Sequence, residues 1–487
     1  MHLLQQHTLD IRCASLDFGK EVQSVLQSLL EKEFYPKLEL LLNQYSSQNY
    51  TWKIDKLEII LPPLSRKKWK EEIVTHSLEQ IESYLKLHFE DFEENVEIIK
   101  NSETVFSKNS IAENLFFIFL QKGIIPENGL VKSLEELIAE LEVNPSFIQK
   151  LKEVFLENPK ALIRFINAFS KEFKTKITSQ IENSLSEFTI LFQFVLASKP
   201  NSFSNTTIES WIEFMAWQFY FFKEKAIPNT TLYQVTKTLI TQYWDIETSQ
   251  LTALNKLLNE KKSFYKKYTL LQNTDFIVFL NIIFYSLNIL SPIKELETEE
   301  IKTLEIPKKM KSERPYSKIQ NLIYIENAGL ILFHPFLKSL FEQLYLTKDE
   351  IWTTKISQHK AILLTQFLIN GETKIGENEL VLNKILCGFP IENVINTQLE
   401  ITSTEIEKCE SLLNAVIEHW KILGDTSIAG LRETFLKRKG KILLTENEKL
   451  ELWVKQEGVD VLLTQLPWGI GMIKTPWMED FLQCYWN

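Results

Sequence analysis

Cysteine is scarce and scattered. Cys13, Cys387, Cys409 and Cys484 form no Cys-x-x-Cys pair and show no ligand spacing, which speaks against a zinc module or a disulfide framework and for free thiols in a reducing compartment. The seven histidines are equally dispersed, so neither a metal nor a cofactor is expected. The chain also lacks a phosphate loop, a Gly-x-Ser-x-Gly elbow, a His-Glu-x-x-His pair and a dinucleotide fingerprint. Positive charge is not in excess: the net charge is -10, with 54 Lys and Arg interspersed among 64 Asp and Glu, which argues against nucleic acid as a partner. The amino end, Met1-His-Leu-Leu-Gln-Gln-His-Thr-Leu-Asp, has neither the basic start nor the apolar block of a secretion signal. The longest uncharged apolar run, Phe276 to Ile293, is interrupted by Asn281, Ser286, Asn288, Ser291 and Pro292; it reads as a helix buried on all sides rather than a membrane span.

What is present is apolar and aromatic. With 487 residues, 44% hydrophobic and 12% aromatic, the chain can build roughly two to four domains with real cores. We expect a mainly α chain with small β elements. Its parts are an N-terminal β-α-β-α unit (1–100), a helical middle region (110–293), a charged proline-containing linker (294–318) and a C-terminal α+β domain (319–487).

In the first part, Leu9, Ile11 and Cys13 alternate with Asp10 and Arg12 as in a half-exposed strand. An apolar stripe from Phe18 through Val22, Leu29 and Leu38 to Tyr45 predicts a long helix with a kink at Pro36. Thr51 to Pro62 reads as a second strand, bulged near Asp55, where the phase slips between Ile54 and Leu57. A helix from Ser65 to His88 completes the unit, and its parallel strands predict a right-handed crossover. In the middle region, Phe119-Leu-Gln-Lys-Gly-Ile-Ile-Pro126 and Phe221-Phe-Lys-Glu-Lys-Ala-Ile-Pro228 resemble Phe367-Leu-Ile-Asn-Gly-Glu-Thr-Lys374 further on. Each ends a helix and turns the chain.

Towards the carboxyl end, Thr402 and Glu405 form a capping box for a helix striped by Ile406, Cys409, Leu413, Val416 and Trp420 and ended by Gly424. Ser427 caps the next helix. Ile442 and Leu444 face Leu450, Leu452 and Val454 across a hairpin. A short helix carrying Val459, Leu462, Leu463 and Leu466 stops at Pro467. Gly469 and Gly471 allow a tight or bulged backbone before an extended run to Ile473, and Thr475 with Pro476 reads as a helix start. His334, His419 and Glu326 with Asn327 are the candidates for a polar site, and a core position or a cap accounts for each equally well.

Several of these stretches resemble the tape measure family of contractile injection systems. They are Ile54-Asp55-Lys56-Leu57, Tyr324-Ile-Glu326-Asn327-Ala-Gly329, Glu379-Leu-Val-Leu-Asn383-Lys-Ile-Leu-Cys-Gly388-Phe-Pro390, Glu418-His419-Trp420, Thr426-Ser-Ile-Ala-Gly430-Leu-Arg432 and Gln465-Leu-Pro467-Trp468-Gly469-Ile-Gly-Met-Ile-Lys-Thr-Pro476-Trp477. Pro62-Pro63 stands where the family pattern ends its strand in glycine. The resemblance implies an assembly or length-control protein, without catalytic residues, whose partners are inner-tube, baseplate or cargo proteins. It would be cytoplasmic during assembly, or inside the particle tube. A helical adaptor or chaperone that measures nothing is the alternative, and the oligomeric state is open.

Overall fold

The computed structural model describes residues 2–89 (without 3, 5, 6, 47–49, 53, 55 and 56), 105–126, 133–180, 205–224, 243, 278, 279, 322–444 and 449–486. They fall into two compact units, residues 1–116 with 127–142, and residues 117–126 with 143–487. The linker 294–318, the strand bulge at Asp55 and nearly all of the apolar run 276–293 lie outside the described residues.

The first unit is helical where a β-α-β-α unit was expected. Ser15 Oγ caps α1 (Leu16–Leu29) by accepting from the Phe18 N–H. A π-helical turn, Leu30–Phe34, then leads into α2 (Tyr35–Gln44). The wide turn falls just before Pro36, which has no N–H to give and whose ring would press on the carbonyl four residues back. Val22, Leu29, Phe34 and Leu38 pack against Trp69, Ile73, Ile81 and Leu85 of α3 (Trp69–Phe89). The leading strand is absent: residues 7–13 have no regular structure, and Leu9 and Ile11 stay exposed. The second strand shrinks to β1 (Tyr50–Trp52), paired antiparallel with β2 (Val105–Ser107). Beyond it Leu57, Ile59 and Leu61 lie on the helical core in an extended segment, held by Gln80 Nε2 donating to the Ile60 carbonyl (2.9 Å). The alternation correctly reported which side is buried. It carried no information about a strand partner, and here helices cover that side.

The second unit begins at the end of α4 (Lys108–Lys122); α5 (Leu134–Ala139) belongs to the first. Asn144 and Asn158 cap α6 (Pro145–Glu157) and α7 (Pro159–Ala168), each with proline in the first turn, where its missing N–H costs nothing. With α8 (Lys171–Thr178) and α9 (Asn205–Glu224) they bury Phe147, Phe155, Phe165 and Trp217.

After β3 (Leu322–Ile325) come α10 (Leu337–Gln343), the hairpin β4 (Thr347–Lys348) and β5 (Ile351–Trp352), and α11 (Lys355–Asn370). From Ala361 to Ile369 every residue of α11 is buried, so it is the central helix of this core and shows no one-sided stripe. There follow α12 (Val381–Leu386), α13 (Ser403–His419), closed by the expected Thr402–Glu405 capping box, and α14 (Ile428–Leu431), capped by Ser427. Strands β6 (Gly440–Leu444) and β7 (Leu450–Val454) form the expected hairpin, with Ile442 opposite Leu452. With β8 (Met472–Ile473) and β9 (Leu482–Tyr485) they complete a sheet of order β3-β6-β7-β9-β8, antiparallel except for β7 with β9. Ile325, Ile442, Leu452, Val454, Leu482, Cys484 and Ile473 close the core on its inner face.

One local reading at the carboxyl end is corrected. Thr475 starts no helix: it is buried, its Oγ1 donates to the Leu386 carbonyl (2.6 Å), and Pro476 and Trp477 form a turn. The hydroxyl that would have capped a helix is already spent on the end of α12. Gly469 and Gly471 adopt no left-handed backbone, and a Cβ on either would meet open space.

Candidate interaction site at the carboxyl end

Tryptophans of the carboxyl end are fixed by aromatic neighbours from earlier segments. Trp477 lies 4.7 Å from Trp352 and 5.3 Å from Phe341, and its Nε1 donates to the Glu350 carbonyl at 2.8 Å. Gly388 makes this approach achievable: at φ +62° its missing Cβ would sit 2.0 Å from the Trp477 carbonyl oxygen. Trp468 meets Phe336 edge-on at 4.9 Å and stacks on the exposed His419 at 5.9 Å. Trp420 is fully buried against Phe435. Pro467, Gly469 and Pro476 are exposed, as is Pro390, whose carbonyl accepts from the Asn393 N–H.

Asn327 and Asn383, far apart in sequence, meet in a buried amide network. Asn327 Nδ2 lies within hydrogen-bond reach of Gln366 Oε1 (2.8 Å), Asn383 Oδ1 (2.8 Å) and the Glu379 carbonyl (3.0 Å), three acceptors that share its two hydrogens. Asn383 Nδ2 donates in turn to Thr365 Oγ1 (2.9 Å). These bonds tie the start of the C-terminal segment to α11 and α12, while Asn327 Oδ1 stays buried without a partner. Gly329 lets the backbones close, since a Cβ there would lie 1.9 Å from the Phe435 carbonyl oxygen. The Gly430 N–H completes the Ser427 cap (3.1 Å). Arg432 donates to the Leu368 (3.1 Å) and Phe367 (3.2 Å) carbonyls at the end of α11.

The three polar candidates are engaged separately. Glu326 is exposed and pairs with Lys439 at 3.4 Å. His334 Nδ1 bonds the Ile331 carbonyl, and burial lowers its affinity for a proton. His419 stacks on Trp468 as above. Burial pushes the thiols of Cys409 and Cys484 up to about 12, and that of Cys387 well up too, which makes all three unreactive. Among the described residues no group of His, Cys, Asp and Glu is placed to hold a metal, and no helix is long and apolar enough to cross a membrane. Ile54 is exposed and Leu57 packs in the first unit, while Asp55 lies outside the described residues.

Sequence reasoning missed the buried charges. Glu377 Oε1 accepts from Arg164 Nε (3.1 Å) and Lys384 Nζ (2.8 Å), all three residues nearly inaccessible. Burial alone would raise the Glu377 carboxyl; the two cations outweigh it and hold it below the usual carboxylate value. Arg164 also donates to the Leu120, Gln121 and Glu392 carbonyls, and Lys384 to those of Ile391 and Asn393. Arg438 grips Asp460 with both nitrogens of its fork (2.7 and 2.9 Å), and Trp486 Nε1 adds a bond to the same carboxylate. Each pair joins segments with no shared periodicity, so no local pattern announces it.

The family model for contractile injection system tape measure protein matches residues 1–486. Comparison with curated proteins and with solved structures found no match.

Proposed function

The chain belongs to the contractile injection system tape measure protein family, and from that premise we propose that it assembles with the inner tube and baseplate of such a particle and governs how far the tube grows. The family match over essentially the whole chain carries this reading. The exposed prolines and glycine of the carboxyl end, framed by fixed tryptophans, are its contact residues, and it transforms no substrate.

A literal ruler must be extended. As one helix the chain would reach roughly 730 Å, and fully stretched roughly 1,600 Å. One observation favours a second reading, a folded adaptor or chaperone for tube subunits or cargo. Arg164 of α7 is buried, donating to Glu377 and to the Leu120, Gln121 and Glu392 carbonyls, so drawing out the middle region would break several buried bonds at once and leave those carbonyls without this donor.

Gene deletion followed by in-frame lengthening of residues 110–293, with particle length read by electron microscopy, separates the two. Tubes that lengthen with the insertion support measurement. Tubes of unchanged length leave the adaptor, and normal particles after deletion remove both.

A further inference from the structure

Among the described residues, three other than glycine hold a left-handed backbone, and all sit in one corner of the second unit: Tyr345 (φ +56°), Asp349 (φ +51°) and Glu350 (φ +64°). Tyr345 follows the cap of α10. Its N–H reaches the Glu342 carbonyl (3.1 Å) and that of Leu346 reaches Phe341 (2.9 Å), the helix-ending arrangement in which glycine is the usual residue. Asp349 and Glu350 are the two turn residues between β4 and β5, where Asn-Gly is the usual choice.

The strained corner is braced from behind. Trp477 Nε1 holds the Glu350 carbonyl, Lys338 pairs with the Glu350 carboxylate, and the Thr353 N–H bonds the Leu346 carbonyl (3.0 Å). Two large apolar side chains of this corner stand in solvent, Tyr345 at 85% and Ile351 at 71% exposure. An unburied tyrosine returns almost nothing to its own fold for occupying a position that glycine fits better. Backbone strain of this kind persists where a function uses it.

We propose that this corner is a rigid docking knob, and that Tyr345 and Ile351 enter an apolar pocket on another protein of the injection particle. An exposed aromatic on a braced backbone loses little freedom on binding, the property of an interface anchor. The flanking charges are mixed, Lys338 and Lys348 with Asp349 and Glu350. That suits the polar rim of a protein interface, whereas anionic lipid or nucleic acid calls for a basic excess. The identity of the partner rests on the assembly reading; the knob itself rests on the corner.

The test places a photo-reactive benzoylphenylalanine at position 345 or 351 of the full chain in cells that make the particle, with Ile60, 80% exposed in the first unit, as the control position. We expect an adduct with one other particle protein from 345 and 351 and none from 60. Alongside it, Tyr345→Gly should keep or raise the thermal midpoint while at least tenfold less of that protein co-purifies, and Ile351→Ser should show the same loss. Adducts only with lipid, with a second copy of the chain or with whatever position 60 captures would overturn the proposal, as would undiminished co-purification of both variants. Particles that need the chain yet tolerate both substitutions would sink the knob alone; particles that form without the chain would sink the assembly reading.

Discussion

Glycine shows how differently two residues of one type weigh in this chain. Gly388 combines a left-handed φ with a backbone carbonyl 2.0 Å from where a Cβ would go, and Gly469 has neither constraint. A carbonyl oxygen in a packed turn does not move aside as a flexible side chain would. Gly388→Ala should therefore destabilise the second unit by about 3 kcal/mol or more, and Gly469→Ala should stay within about 0.5 kcal/mol. Urea unfolding midpoints decide it, and equal midpoints for the two variants would contradict the Trp477 contact. Both glycines belong to motifs legible in the sequence, but only packing tells them apart. What crowds Gly388 comes from a residue 89 positions later in the chain (477 less 388).

At the scale of elements, helix ends were the most legible feature, because a cap involves residues within one turn. Thr402 and Ser427 cap the helices the sequence assigned to them, Thr475 caps none, and the Phe-Leu-x-x-Gly repeat marks two true helix stops; Ser15, Asn144 and Asn158 are caps that emerged with the structure. Gly123 and Gly371 are both left-handed, and their N–H groups return to Phe119 (2.7 Å) and Phe367 (2.8 Å). The repeat hid a second common part. Arg164 lies over the first glycine and Arg432 over the second, each donating to carbonyls of the last helical turn. Carbonyls of a last helical turn are short of N–H partners, and a guanidinium fork answers two at once, here adding to the bond that the Phe367 carbonyl already accepts from Gly371. Arg432→Ala should cost about 2–3 kcal/mol, and Arg432→Lys should recover less than half because an ammonium offers no planar fork. Thermal melts of the two variants measure this, and full recovery by lysine would show that charge alone matters.

For the whole molecule, the decisive groups are buried ones that join distant segments. His359 lies in the second unit, accepting from the Asn396 N–H (3.3 Å), and burial lowers its pKa to about 4. The unfolded chain takes up that proton near pH 6.5 and the folded one only near 4, so the unfolded state binds more protons in between and stability rises with pH. Acidifying from about 6.5 to 4 should remove about 3 kcal/mol. Glu377, whose folded value is depressed by Arg164 and Lys384, adds a further loss as pH falls from the ordinary carboxylate value through its folded one. Denaturant midpoints of the native chain and of His359→Gln against pH test the first step, and a slope unchanged by the substitution would refute it.

By itself the sequence determined the helical class, the caps at Thr402 and Ser427, the hairpin from Ile442 to Val454 and the resemblance to an injection-system family, all of which are written in neighbours or in contiguous motifs. Only the tertiary structure decided that Leu57, Ile59 and Leu61 rest on helices without a strand partner, and that Glu377 is shared by Arg164 and Lys384. It also decided that the tryptophan-rich end braces a strained corner. Hydrophobic periodicity records which side of a segment is buried, while the identity of what covers it depends on chain closure over hundreds of residues, and no local period encodes that.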